Sequence, residues 1–174
     1  MAWFQIAILD STFCDASYPL LQNQFGTKNT ALMNQEIIKK ASPFIMEAHR
    51  NAWLLVMESE NLNDQELNAT VDSLFSNAIK FSLTIDDNRV NEDSSRRAGE
   101  VTALRTLVDY VFDAEKKGEN EALATFYRKI EPAARNNDQF RRSTSNLLEH
   151  FSLSNRESDH EYTNDLLVLK RILG

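Results

Sequence analysis

PFIMEAHRNAWLLVME, residues 43–58, contains the longest unbroken apolar run of the chain, Ala52 to Met57. Ser42 before Pro43 suits an N-cap followed by proline at the first helical position, where the missing N–H costs nothing. On a 3.6-residue period Ile45, Ala48, His49, Ala52, Trp53 and Val56 share one side, and Phe44, Leu55 and Met57 widen it. Water is left with a strip of Glu47, Arg50, Asn51 and Glu58, interrupted by Leu54. A helix apolar over most of its circumference belongs among other helices, so the segment predicts a central helix with amphipathic neighbours.

The flanking sequence supplies those neighbours. Thr30 to Ala41 reads as a short helix with Met33, Ile37 and Ala41 on one side, stopping near Ser42 because the residue before a proline avoids the helical region. Asn63 and Glu66 have capping-box spacing and open a helix carrying Leu67, Val71, Leu74, Phe75, Ala78 and Ile79. TIDDNRVNEDSSRR, residues 84–97, is the most polar stretch and reads as an exposed loop. Residues 95–117 then place Ala98, Val101, Leu104, Val108, Val111 and Phe112 inward, and Lys116, Lys117 and Gly118 close the helix in the usual way.

Residues 119–131 continue with Leu123, Phe126, Tyr127 and Ile130 before Pro132 breaks or kinks the path. Asn137 or Asp138 caps a helix presenting Phe140, Leu147, Leu148 and Phe151. Ser158 and Glu161 form a second capping box, opening a last helix with Tyr162, Leu166, Leu169 and Leu173. At the other end, Phe4, Ile6 and Ile8 alternate like a strand without an evident partner, so a short helix is an equal reading. The sum is an all-α, compact bundle of six or seven helices. One domain spans 1–174, with 1–29 an irregular or short-helix segment packed on the bundle.

Composition agrees. A chain of 174 residues buries about 70% of its unfolded surface, enough for one core without disulfides or a structural metal. Four Gly and three Pro supply little turn chemistry for a β fold. No repeat of fixed period points to a solenoid. The net charge of −7 argues against non-specific binding to nucleic acid or membrane surfaces, which needs clustered positive charge. The single Cys14 excludes an intramolecular disulfide and fits a reducing compartment. MAWFQIAILD lacks a basic n-region and is cut short by Asp10, so neither a signal peptide nor a span is expected. Cytoplasm is the expected address.

Tests for chemistry return no catalytic residue, no metal ligand set and no cofactor motif. His49, on the apolar side, has the options of a general base, a phosphate acceptor or a core histidine with a local partner; the last is the ordinary case. Glu157 and His160 have metal-ligand spacing on a helix face, but a di-iron bundle needs a second such pair, and none is present. The arginine–histidine spacing of HEPN-type helical ribonucleases is missed twice, Arg156–His160 being too short and Arg142–His150 too long. Asp86, Asp87, Asn88 and Asn91 to Asp93 fail the EF-hand register, with no glycine at the turn.

The one basic concentration is Arg128, Lys129, Arg135, Arg141 and Arg142, flanked by Tyr127 and Phe140. It suits an acidic protein partner, or RNA. The expectation is therefore a non-enzymatic protein-binding module of inhibitor, immunity, adaptor or subunit type. Its candidate contacts are Trp3, Leu54, Asp86, Asp87, Arg128, Arg135, Arg141 and Arg142, and homo-oligomerisation is a further option. The alternative is an RNA-binding or RNA-cleaving bundle using the 127–142 face with His49 or His160.

Overall fold

The structure, a computed structural model, describes residues 35–86, 92–153 and 160–173, with side chains placed over 37–85, 92–147 and 167–173. Trp3, Cys14, the strand-or-helix question at residues 3–9, Asp87 and the Ser158 cap lie outside these residues. Residues 41–174 group into one unit, and of residues 1–40 only the opening turns of the first helix are described. Among the described residues the chain is all-α, with six α-helices and no strand. They are α1 (Gln35–Met57), α2 (Asp64–Asp86), α3 (Glu92–Lys117), α4 (Asn120–Asn136), α5 (Asp138–Leu153) and α6 (His160–Leu173). A single 3-10 turn, Ser59–Asn61, joins α1 to α2.

Pro43 does not start a helix; it lies inside α1. Ala41 and Ile45, one turn apart across the proline, are both buried, and only a continuous helix keeps them on the same seam. The ring removes the N–H that would bond the Lys39 carbonyl. Lys39 and Pro43 both lie on the exposed side of α1, where an open carbonyl costs least. Pro132 repeats the arrangement within α4, exposed and one turn beyond exposed Arg128, while Ile130, Ala133 and Ala134 around it are buried. Neither proline ends a helix.

The buried seam of α1 runs Ala41, Ile45, Ala48, Ala52 and Leu55, with Val56 beside it. It is rotated from the side expected of the sequence. Trp53 falls at its outer margin and is 37% exposed, whereas Asn51, expected in the polar strip, is 5% exposed. Asn51 is tolerated there because its amide Nδ2 donates to Ser73 Oγ of α2 at 2.9 Å.

α3 lies among several helices of the bundle. It packs most extensively on α2, also meets α4, α5 and α6, and touches α1 through the Tyr110 ring. That is why its buried residues exceed one stripe: Ser95, Gly99, Ala103 and Thr106 join Leu104, Leu107, Val108 and Val111. Ala98, Val101 and Phe112, expected inward, are half-buried. The expected 84–97 loop shrinks as well, because α2 runs to Asp86 and α3 begins at Glu92. Glu92 and Asp93 complement the positive end of the α3 dipole, and Glu92 pairs with Arg96 at 3.8 Å.

Three helix ends form as their sequences predict. Asn63 and Glu66 make both bonds of the capping box: Glu66 N donates to Asn63 Oδ1 at 3.0 Å, and Asn63 N to Glu66 Oε2 at 2.9 Å. Gly118, at φ 73°, closes α3 in a Schellman motif, with Glu119 N donating to Ala114 O and Gly118 N to Glu115 O. Asn137, rather than Asp138, caps α5: Phe140 N donates to its Oδ1 at 2.8 Å.

Candidate functional site

Two surface regions gather the side chains that a functional reading can use. The first lies along the outer margin of α1. Trp53 stands exposed there, one turn from His49, with Met46, Leu54 and Met57 half-buried on neighbouring positions. The His49 imidazole meets the Tyr110 ring of α3 edge-on, with centroids 5.9 Å apart and planes at 69°. Burial pushes the imidazole below its ordinary value of 6.5. The Tyr110 phenol is pushed up, first by burial and then by the carboxylates of Asp113 and Asp109. A buried imidazole edge-on to an aromatic ring is the core-histidine arrangement, and the Tyr110 ring of α3 is one of its neighbours. Arg50 pairs with Glu47 at 3.4 Å.

The second region is where α4 meets the last turn of α6. Arg171 lies over the face of Tyr127, its guanidinium carbon 4.1 Å from the ring centroid. Burial raises the Tyr127 phenol and Glu115 adds to the rise, while the charge and hydrogen bonding of Arg171 oppose it. Arg135, two turns along α4 from exposed Arg128, donates from Nε to the Leu173 carbonyl at 3.2 Å and pairs with Glu131 at 2.8 Å. It therefore satisfies one of the carbonyls left open at the end of α6.

The basic side chains of the stretch 127–142 differ in what they touch. Lys129, about a third of a turn round α4 from Arg128, points its ammonium into the α1–α2 connection. There it donates to the carbonyls of Ser59 at 2.8 Å, Glu60 at 3.3 Å and Leu62 at 2.6 Å. Asn137 Nδ2 donates to Asp72 Oδ1 of α2 at 2.6 Å, which sets the beginning of α5 against a different neighbour. Arg141 pairs with Asp138, and Arg142 is exposed. Arg128 and Arg135 share one side of α4, and Arg141 and Arg142 lie on α5.

Leu54 is half-buried; Asp86 is the last residue of α2 and His160 the first of α6. Among the described residues no group of three or more His, Cys, Asp and Glu side chains is placed to hold a metal ion. No described helix is long and apolar enough to cross a membrane. Two features escaped the sequence reading. Trp53 was assigned inward because its neighbours are apolar, and Arg171 lacked any local signal, since its partner Tyr127 is far away in sequence. Comparison with protein-family models, curated proteins and solved structures finds no match to this chain.

Proposed function

We propose that this bundle is a non-enzymatic protein-binding module, of the inhibitor, immunity, adaptor or subunit kind, acting through its helical surface in a reducing cytoplasm. The observation that carries the reading is Trp53, a large aromatic side chain left 37% exposed on α1, the helix on which Ile38 is also 45% exposed. Tryptophan flanked by methionine and leucine is the composition of an interface centre, where a few aromatic anchors supply most of the binding energy. The lone Cys14 accords with the compartment.

Affinity capture of the tagged protein from its native lysate, with and without nuclease, tests the reading. A stoichiometric protein that survives nuclease and is lost in Trp53→Ala, with helicity intact, is the expected result. Recovery of RNA, or collapse of the complex on nuclease treatment, would replace it with the RNA-binding alternative. A concentration-dependent mass without any second protein would replace it with self-assembly.

A further inference from the structure

The cations of the α4–α6 junction stand apart from the rest of the molecule. Arg128, Arg135, Lys170 and Arg171 are all exposed in a chain whose net charge is −7, with Glu131 paired to Arg135 and Glu121 two turns before Arg128 on the same side of α4. Lys170 and Arg171 also lie in the last turn of α6, where cations offset the helix dipole, and that accounts for their charge. It does not account for their arrangement. The Arg171 guanidinium carbon stands 4.1 Å from the Tyr127 ring centroid, a contact that restrains the side chain. A guanidinium held this way loses little further freedom when a carboxylate docks on its edge. Arg128 has no partner among the described residues and lies two turns, about 10 Å, from Arg135 on the same side of α4.

We propose that the face where α4 meets the C-terminal turn of α6 docks an acidic segment of a partner protein, with carboxylates pairing to Arg128 and Arg171 beside the charge of Arg135. The inference rests on the protein-binding reading above and names the chemistry of the partner. Planar forks match carboxylates two bonds at a time, and a local positive face on an acidic protein orients an acidic partner on approach. RNA fits less well. Single strands need aromatic faces for base stacking, and the face of Tyr127 is occupied by Arg171.

The test uses the whole chain and a fluorescently labelled oligoglutamate peptide at low salt, read by anisotropy. Arg128→Glu and Arg171→Glu should each weaken the peptide about tenfold, the scale of one close charge pair. Arg142→Glu, on α5, should leave it unchanged, and Arg171→Lys should fail to restore full binding because an ammonium has no planar fork. Arg128 has no internal partner to lose, so its variant keeps the helicity of the parent. Equal losses in all three glutamate variants, no binding at all, or stronger binding of an oligonucleotide than of the peptide would each overturn the proposal. If a protein captured from lysate is insensitive to Arg128→Glu, this face is excluded and the protein-binding reading survives. If no protein is captured, the reading itself falls.

Discussion

A methyl group placed on Gly99 of α3 would stand 2.4 Å from the Cα of Ile79 in α2, and 2.9 Å from the Ala78 carbonyl oxygen. Both obstacles are backbone, so no side chain can swing aside to make room. The most extensive helix pair of the bundle therefore meets, at this point, through the absence of a side chain. In an isolated helix Gly→Ala would stabilise by about 1 kcal/mol. Here overpacking opposes it, and Gly99→Ala should lower stability by about 1–3 kcal/mol. Urea unfolding of the two proteins measures this, and an unchanged or raised midpoint would show that α2 and α3 can separate freely.

The helix ends and most of the apolar stripes were legible in the sequence, because caps and periodicity are local signals. Asn63–Glu66, Gly118 and Asn137 each act within a few residues of themselves. What the sequence hid was long-range. Asn51 looks solvent-facing until Ser73, on another helix, supplies its partner, and Lys129 looks like surface charge until the α1–α2 turn folds beneath it. The two prolines misled for a related reason. Their local cost is real, but exposed carbonyls and buried neighbours on either side keep α1 and α4 continuous. At the candidate site, guanidinium residues were visible as a cluster in sequence, while the contact of Arg171 with Tyr127 and of Arg135 with the end of α6 required the fold.

Lys129 gives the second prediction. Its ammonium holds three carbonyls of the α1–α2 connection, and each charge-assisted bond to a half-buried group is stronger than a neutral one. Lys129→Met keeps the stem and removes the donors. It should cost about 2–3 kcal/mol and increase amide exchange at Asn61 and Leu62 before any global opening. Lys129→Arg should not restore stability, because a fork cannot converge on three carbonyls as a rotating ammonium does. Full stability in the methionine variant would relegate the contact to the surface.

Thr144 on α5 gives a prediction of the opposite sign. Its side chain is fully buried, and Oγ1 has no hydrogen-bond partner among the described residues. Burying an unmade hydrogen bond costs about 1–3 kcal/mol, and valine matches threonine in shape without the hydroxyl. Thr144→Val should therefore raise the unfolding midpoint, by about 1 kcal/mol in stability. Ser143→Ala, at the adjacent buried and unpartnered hydroxyl, should act in the same direction. A loss of stability in the valine variant would mean that Oγ1 has found a partner.

His49 supplies the pH dependence. Burial against Tyr110 lowers its folded-state pKa below the unfolded value of 6.5, so the native protein resists the proton that the unfolded chain accepts. Above about pH 6.5 neither state is protonated, and the contribution of His49 to stability does not change. Below it the unfolded state binds more protons, and stability falls with pH at up to about 1.4 kcal/mol per unit until the native imidazole also titrates. The chain has two other histidines, so His49 must be isolated by difference. His49→Phe keeps an aromatic ring beside Tyr110 and removes the titration. Its unfolding free energy should therefore lose less than the parent's between about pH 7 and pH 5.5. Parallel pH profiles for the two proteins would show that His49 charges as readily in the bundle as in the open chain, and that the ring contact with Tyr110 does not shield it.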